Sequence, residues 1–354
     1  MSLPDTFLMK NTETSTLKEV AAHAGVSFKT VSNVVNNRSS EVSVETRERV
    51  LASISALSYR PNVAARHMRK GQSGVLALAI PDLINPYFAA LSAAVVEAAE
   101  AHRHTVLVEH TGGRRASEVL IASGFSRHLL DGVILNPISL EVEDLARINV
   151  PIILLGERLL DASYDHVVID NVAAARVAMQ HLLGLGRRRI AAVDLREERG
   201  DTPRLRLRGY TEALTHAGLA IDQSLIVSTP ATRHGRMEGI EGMRRLLTLE
   251  RPPDAVLCFN DLVALGAMRV SQDAGYRVPD DVAVVGFDDI EEGRFAAPRL
   301  TTIAPDKDEI GRLAVSMLLG RVNGSRIVPP ERVQPPFQLI VRESSVGASG
   351  AAYP

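Results

Sequence analysis

The sequence has only one cysteine, Cys258, which lies within an apolar run. A disulfide framework and a cysteine-ligated zinc site are therefore excluded. No apolar stretch approaches the roughly 20 residues that a membrane-spanning helix needs. The first 15 residues lack the apolar core of a secretory signal. We therefore expect a cytoplasmic protein without a membrane segment.

Common catalytic signatures are also missing from the chain. It has no phosphate-binding P-loop, no HExxH and no GxSxG. Residues 183–189, LGLGRRR, begin like a dinucleotide-binding loop, but they lack the third glycine and precede a predicted strand. The ten histidines are scattered. We predict no catalytic residue, no metal site and no cofactor, and therefore a protein that is not an enzyme.

The charge is unevenly distributed along the 354 residues. Residues 1–70 contain ten Lys and Arg against six Asp and Glu, a net charge of +4. Because the whole chain carries −2, the remainder carries −6. A small basic segment joined to an acidic body is consistent with a protein that contacts phosphates at one end.

The first readable pattern begins at Thr16. Apolar residues from Leu17 to Ala24 recur at helical spacing, and Gly25 is suited to end that helix in a left-handed turn. Ser27 is placed to cap a second helix. The buried stripe of this second helix is expected at Val31, Val34 and Val35. Two short helices joined by a tight glycine turn predict a helix-turn-helix.

The outward side of the second helix is expected to carry side chains that reach DNA base edges. These are Phe28, Lys29, Ser32, Asn33 and Asn36. A third helix should follow, capped by Ser43 and buried through Val50, Ile54 and Leu57. The next segment, residues 59–70, is too short for an independent helix. Pro61 suits a first helical position, so we expect a helix that forms only against a partner.

Residues 16–70 resemble the DNA-binding headpiece of the lactose repressor/galactose repressor family. VAAHAGVSFKTVSNVVN and YRPNVAARHM match its helix-turn-helix and its hinge helix. The resemblance implies that two hinge helices pair in the minor groove, with Met68 in place of a family leucine that wedges between base steps. It implies DNA contacts from Leu17, Lys18, Ser27, Phe28, Lys29, Thr30, Ser32, Asn33, Asn36, Ser43, Thr46, Tyr59, Asn62, Ala65 and Met68.

Beyond residue 74, apolar strands alternate with helices, which predicts two doubly wound parallel α/β lobes. In the family this body resembles the periplasmic sugar-binding proteins, with two lobes joined by three crossovers. We expect strands at VLALAI, TVLVEH, GVILN, PIILLGE, HVVI, RRIAAVD, LIV, DAVLCFND, VAVVGFDD and residues 337–342. We expect helices at residues 88–102, 117–130, 173–185, 210–217, 239–249, 262–274 and 307–319.

Most of these strands end in a polar residue, and ligands bind at the carboxyl ends of strands in open α/β sheets. Such a ring suits a polyhydroxylated ligand. An alternative for each residue is that it caps the next helix. We expect that role for Asp261 and a local role for Asp289. The strand-end residues are Asp82, Asn136, Asp170, Asp194, Asn260 and Asp288.

The family resemblance selects the residues that contact the effector. RLRLRGY matches a segment whose arginine, here Arg206, binds the effector. Tyr87 and Phe88 match residues at the cleft mouth, and His234 falls where many members have an aromatic platform. The resemblance thus implies effector contacts from Tyr87, Phe88, Asp170, Arg206, His234, Asn260 and Asp288.

The expected organisation has five parts. Residues 1–15 and 346–354 form disordered tails, residues 16–60 the helix-turn-helix domain, residues 61–74 the hinge helix and linker, and residues 75–345 the two-lobed body. The expected function is a homodimeric transcriptional regulator, a repressor of a palindromic DNA operator that responds to a carbohydrate-like effector. The alternatives are a solute-binding protein of a transport system, which would need an export signal, and a cytoplasmic enzyme, which would need a catalytic constellation.

Overall fold

The computed structural model describes residues 15–35, 42–59, 72–123, 130–148, 150–159, 163–195, 201–229, 235–326, 328–348 and 350. The chain divides into two compact units, Met1–Gln72 and Ser73–Pro354. Most of the two expected tails, and the hinge segment, lie outside the described residues. So do five of the expected site residues, which are Asn36, Asn62, Ala65, Met68 and His234.

The first unit contains three helices, α1 (Leu17–Ala24), α2 (Phe28–Val35) and α3 (Val44–Ala56). Thr16 caps α1, and the carboxylate of Glu19 accepts a hydrogen bond from the Thr16 amide in return. Gly25 ends α1 with φ of 64°, which a residue without a Cβ adopts at little cost. The predicted glycine turn is confirmed.

A small apolar core holds these helices together. Val20, Val31 and Val50, one from each helix, are fully buried, and Leu17, Ile54 and Leu57 pack partly buried around them. The apolar spacing in the sequence therefore predicts the inner faces of all three helices correctly.

The first lobe of the second unit is a six-stranded sheet covered by helices. Its elements are β1 (Val75–Ile80), α4 (Pro86–Ala101), β2 (Thr105–His110), α5 (Arg115–Ala122), β3 (Gly132–Leu135), β4 (Ile152–Leu155), β5 (Asp165–Val167), α11 (Lys307–Val322) and β11 (Arg332–Val333). The strands run in the order β2-β1-β3-β4-β5-β11, and every pair is parallel.

The second lobe repeats this arrangement. Its elements are α6 (Asn171–Gly184), β6 (Ile190–Leu195), α7 (Asp201–His216), β7 (Ile226–Ser228), α8 (Arg236–Leu247), β8 (Ala255–Cys258), α9 (Asp261–Asp273), β9 (Ala283–Phe287), α10 (Glu291–Phe295), β10 (Thr301–Pro305), β12 (Phe337–Ile340) and α12 (Glu343–Val346). The strands run in the order β7-β6-β8-β9-β10-β12, with β12 antiparallel to β10.

Each central strand is buried on both faces. In β1, Leu76, Leu78 and Ile80 belong to one apolar layer, and Ala77 and Ala79 belong to the opposite layer. A continuous apolar run satisfies both layers because successive side chains point to opposite faces. This pattern explains why the central strands were readable from the sequence.

The chain crosses between the lobes three times, as the resemblance implied. It leaves β5 of the first sheet for α6, whose alanines lie in the second-lobe core. It returns from β10 to α11, whose apolar side packs in the first lobe. It crosses again from β11 to β12. The space between the lobes is therefore bounded by segments that are distant in sequence.

Several predicted boundaries differ from the structure. Helix α7 begins at Asp201 and not near residue 210, because Pro203 is tolerated in a first turn and the arginine-rich segment hides the apolar spacing. Helix α5 ends at Ala122 with Ser123 as its C-cap, eight residues earlier than expected. Local sequence pattern does not predict β10, β11, α10 and α12, which are mostly short elements stabilised by tertiary contacts.

Candidate functional site

Helix α2 presents part of the predicted DNA-contacting surface to solvent. Phe28 is 40% exposed, and Lys29 beside it is exposed. Ser27 accepts a hydrogen bond from the Thr30 amide at 3.1 Å, so the predicted cap is confirmed. Phe28 and Lys29 therefore lie on the first, well-capped turn of a helix whose other side is buried.

The third helix begins in the same way. The Ser43 hydroxyl accepts from the Thr46 amide at 3.4 Å and donates to the Thr46 hydroxyl at 2.9 Å. Lys18 is exposed and Leu17 is half-buried on α1. The helix dipole places partial positive charge at a helix N-terminus, so the starts of α2 and α3 are suited to phosphate contacts.

Two residues of the predicted DNA-contacting surface are buried within the first unit. Asn33 was expected on the outward side of α2, but only 9% of it is exposed. Tyr59 packs in the core of the first unit. Periodicity along one helix does not reveal which neighbours flank it, and in a small bundle tertiary packing covers more than the apolar stripe.

A cleft of about 800 Å³ lies between the two lobes of the second unit. Its walls come from the carboxyl ends of strands in both sheets, the position at which open α/β sheets bind ligands. Five of the six predicted strand-end residues line it, which are Asp82, Asn136, Asp194, Asn260 and Asp288.

The sixth strand-end residue, Asp170, does not line the cleft. It caps α6, and its carboxylate accepts from the Ala173 amide at 2.9 Å. The following residue, Asn171, is buried and lines the cleft instead. The capping alternative therefore applies at Asp170, whose effector contact stays a prediction.

Arg206 projects from the first part of α7 into the cleft. Its Nε donates to Asn171 Oδ1 at 2.7 Å, its Nη1 donates to the Phe259 carbonyl, and its guanidinium lies 3.7 Å from the centroid of the Phe287 ring. Burial lowers the pKa of Arg206, whereas the negative charges of Asp288 and Glu157 oppose that shift. The guanidinium is thus fixed on several sides before any ligand binds.

Asp194 and Asn260 form a joined polar pair in the cleft. The Asn260 amide donates to Asp194 Oδ2 at 2.9 Å, and its carbonyl oxygen accepts from the Val263 amide to cap α9. Thr229 donates to the other oxygen of Asp194 at 2.6 Å. Asn260 therefore has both of the roles that the sequence left open, that of cap and that of cleft residue.

Asp288 lies on a loop with an uncommon backbone. Its φ is 113° and that of Asp289 is 47°, values that non-glycine residues rarely adopt. Lys307 donates to the Asp288 carbonyl at 2.7 Å and also lies 5.9 Å from the centroid of the Tyr87 ring. This loop directs the Asp288 side chain into the cleft.

Asp261 was expected to cap α9, but Asn260 is the cap. Asp261 is fully buried beneath the loop, where it accepts from the Ile290 amide at 3.0 Å and from the Thr302 hydroxyl at 2.6 Å. Burial raises the pKa of Asp261 well above its usual value, and the nearby charge of Asp288 adds to that shift.

Asp289 was expected to make only local contacts, but it has both a local and a distant partner. It accepts from Arg294, five residues away, at 2.6 Å. It also accepts from Arg342 at 2.7 Å, and Arg342 lies on the segment after β12. Asp289 therefore anchors the loop that carries Asp288 to a distant part of the chain.

Aromatic side chains line the opposite wall of the cleft. Tyr87 and Phe88 lie at the start of α4 with their ring centroids 5.2 Å apart in an edge-to-face arrangement. Burial raises the pKa of Tyr87, and the charge of Asp288 adds to it. The Tyr87 hydroxyl therefore stays protonated and can donate to a ligand.

Glu157, which follows β4, was missed in the sequence analysis. It lines the cleft, is only 4% exposed, and accepts hydrogen bonds from Thr202 and Asn171. Burial raises its pKa, whereas the hydrogen bonds and the charge of Arg206 oppose that shift. Its position directly after the apolar run PIILLG was the available signal.

Within the described part of the chain, no group of three or more His, Cys, Asp or Glu side chains is arranged to hold a metal ion. None of the helices described there is long and apolar enough to cross a membrane. The polar side chains and the guanidinium of the cleft are suited to bind a hydrogen-bonding ligand. The structure thus defines a class of protein that combines a helix-turn-helix unit with a two-lobed ligand-binding body.

Comparison with known families identifies both parts. Residues 16–62 match the lacI family of bacterial regulatory proteins, and residues 179–345 match a periplasmic binding protein-like domain. The chain is 32% identical to the ribose operon repressor of Halalkalibacterium halodurans, over 95% of this chain and 99% of that protein. The chain belongs to the lacI family, and it is a DNA-binding transcriptional regulator.

Solved structures agree with this assignment. The lac repressor dimer bound to operator and the anti-inducer ONPF superimposes with a TM-score of 0.77 at 29% identity, over 95% of this chain and all of that chain. A complex of the transcriptional regulator CelR with cellobiose gives a TM-score of 0.69 at 31% identity, over 94% of this chain and all of that chain.

Proposed function

We propose that the protein is a repressor whose affinity for its operator is controlled by a sugar or sugar derivative bound between the lobes. The observation that carries this proposal is a polar cleft, closed on two sides by separate lobes, in the same chain as a helix-turn-helix. A ligand that binds one lobe arrangement better than another shifts the population toward it. The ribose and cellobiose in the names of two relatives support a carbohydrate.

The ligand contacts follow from the cleft geometry. Arg206 offers donors, Asp288 offers acceptors, and Asn260 offers both, so together they match the hydroxyl groups of a sugar. Tyr87 and Phe88 supply apolar ring surface, against which the C–H face of a sugar can pack. We therefore propose these five residues as ligand contacts.

On the DNA side, we propose that Phe28 and Lys29 contact bases in the major groove and that Lys18, Ser27, Thr30, Ser43 and Thr46 contact the backbone. Met68, outside the described residues, is proposed as a minor-groove wedge. A homodimer on a palindrome is expected, because a two-fold protein reads a two-fold site. The related lac repressor is a dimer on its operator, which supports this arrangement.

We further propose that the protein acts by binding alone, in the cytoplasm, without catalysis. Its relatives are transcription regulators, and the cleft residues described above are engaged in hydrogen bonds that fix their orientation. This proposal concerns mechanism only, and any turnover of a bound sugar by the purified protein would contradict it.

The proposal can be tested in two stages. Selection from a random DNA library should yield a palindromic site, whose binding is then followed by fluorescence anisotropy. D-ribose, cellobiose and a panel of other sugars and nucleosides are then screened by thermal shift, since a ligand at 100 times its Kd adds about 2.7 kcal/mol. A ligand that raises the melting temperature should also change operator affinity. Stabilising ligands that all leave operator affinity unchanged would refute effector control.

A further inference from the structure

The carboxylate of Glu157, a residue of the first lobe, accepts two hydrogen bonds from residues of the second lobe. Glu157 follows β4 of the first lobe, whereas both of its donors belong to the second lobe. The Thr202 hydroxyl on α7 donates to Oε2, and the Asn171 amide on α6 donates to Oε1 at 2.6 Å. A buried carboxylate is costly unless it is hydrogen-bonded, so these two bonds hold the lobes in one arrangement.

The same hydrogen bonds continue to Arg206. While Asn171 donates to Glu157, its own Oδ1 accepts from Arg206 Nε at 2.7 Å. Arg206 also donates to the Phe259 carbonyl of the second lobe. One amide side chain thus connects the first-lobe carboxylate with the cleft arginine.

We infer that Glu157 is a positioning residue that links the two lobes through Thr202 and, through Asn171, sets the orientation of Arg206 in the cleft. A ligand that engages Arg206 acts on the same chain of hydrogen bonds that holds the lobes together. Cleft occupancy and lobe arrangement are therefore coupled at this point. Only the ligand-dependent step rests on the proposed function, because the link between the lobes is present without a ligand.

The chain offers a closely matched control for this link. The Thr229 hydroxyl donates to Asp194 at 2.6 Å, and both residues belong to the second lobe. Thr202→Val and Thr229→Val each remove one hydroxyl–carboxylate bond and preserve side-chain shape. The first removes a bond between lobes, whereas the second removes a bond within one lobe.

The experiment is hydrogen exchange followed by mass spectrometry on the full-length, ligand-free protein and the two variants. The readout is exchange in first-lobe peptides that cover residues 132–140 and 150–159. For Thr202→Val we expect about tenfold faster exchange in these peptides, the effect of losing one charged hydrogen bond. For Thr229→Val we expect faster exchange in second-lobe peptides only. First-lobe exchange that stays at the parent's rate in Thr202→Val overturns the inference, as does equal acceleration by both variants.

Substitution of Glu157 itself supplies a rescue test. Glu157→Gln keeps an acceptor for Asn171 and gains a donor that the Thr202 hydroxyl can accept, so parent-like first-lobe exchange is expected. Glu157→Ala should behave like Thr202→Val. If the Gln and Ala variants exchange equally fast, the hydrogen-bonded link is wrong. Since no DNA or sugar is present, this result is independent of whether the proposed effector control holds.

Discussion

At the scale of single residues, aspartates in and beside the cleft combine unfavourable backbone conformations with buried side chains. Asp194, Asp288 and Asp289 have φ values of 87°, 113° and 47°, and such conformations cost about 1–3 kcal/mol each unless the surroundings fix them. The bonds from Thr229 and Asn260 to Asp194, and from Arg342 and Arg294 to Asp289, provide this support. Side chains held in this way are oriented before a ligand arrives, which lowers the entropy cost of binding.

Asp261 gives a prediction about pH. Because its pKa is raised in the folded state, the folded protein binds this proton more tightly than the unfolded chain does. Its contribution is fully present below the unfolded pKa of about 3.9 and is lost as the pH rises toward the folded value. An asparagine can accept from the Ile290 amide and donate to the Thr302 hydroxyl. We therefore expect Asp261→Asn to gain stability relative to the parent as the pH rises.

The measurement is urea unfolding of parent and Asp261→Asn at pH 5 and pH 8, and the quantity of interest is the difference between the two proteins. Asp289→Asn serves as a control that should show the same stability difference from the parent at both pH values. Despite its burial, hydrogen bonds from Arg294 and Arg342 lower the pKa of Asp289, so its stabilising contribution changes only below this pH range. A stability difference between parent and Asp261→Asn that does not change with pH would show that Asp261 is ionised in the fold.

At the scale of elements, helix packing and helix capping determine where the functional side chains lie. Helices α8 and α9 approach so closely that glycine is required at their contact. A Cβ at Gly239 would overlap the Val263 carbonyl, and one at Gly266 would overlap the Arg236 carbonyl. This contact fixes α9, whose first residues follow Asn260 at the cleft.

We expect Gly239→Ala to destabilise the protein by about 1–3 kcal/mol, because the helices must separate to accommodate the methyl group. The matched control is Gly184→Ala, at a helical glycine with open space around its Cβ position. That variant should be neutral or stabilised by up to about 1 kcal/mol, from helix propensity alone. Chemical denaturation of both variants gives the comparison, and equal losses would argue against a packing origin.

Helix α2 carries the prediction about DNA specificity. Lys29 lies exposed on its first turn, where its ammonium group can donate to guanine acceptors. Lys29→Ala should weaken operator binding by about 1–3 kcal/mol and relax the preference at one base pair in each half-site. The check is anisotropy with the selected operator and with operators substituted at single positions. Equal weakening on all of these sequences would identify Lys29 as a phosphate contact.

At the scale of the whole molecule, the two lobes are joined by the three crossings and by contacts across the cleft. The hydrogen bonds from Thr202 and Asn171 to Glu157 are such contacts, so a different lobe arrangement requires them to change. Ligand binding can then select one lobe arrangement, which is the source of any coupling to DNA affinity. Arg206 and Asp288 belong to the second lobe and Tyr87 belongs to the first. The affinity of a ligand that contacts all three therefore depends on how the lobes are arranged.

Arg206→Ala and Asp288→Ala should therefore separate ligand response from DNA binding. Each variant is expected to bind operator with the parent's affinity and to lose the response at a concentration of the screened sugar that saturates the parent. Anisotropy titrations with and without that sugar provide the measurement. Because the loss of a partner from a buried charged pair is costly, melting temperatures must be close to the parent's. A folded variant with the parent's effector midpoint would exclude the altered residue as a contact.

Much of this protein is determined locally by its sequence. The α1–α2 turn was readable because Gly25 and Ser27 act within a few residues of the backbone that they shape. The central strands were readable because burial on both faces requires a continuous apolar run. The family resemblance and the strand-end positions together identified eight residues that line the cleft, since the carboxyl ends of parallel strands meet at one edge. These are Asp82, Tyr87, Phe88, Asn136, Asp194, Arg206, Asn260 and Asp288.

Tertiary structure alone decided the remaining assignments. Asp170 and Asn171 are adjacent in sequence, yet one caps α6 and the other reaches the cleft. Asp261 is buried because Thr302 and Ile290, which are distant in sequence, enclose it. Glu157 meets Thr202 only because the chain crosses between lobes. Such roles depend on partners contributed by distant segments, and local pattern contains no information about which distant segments come together.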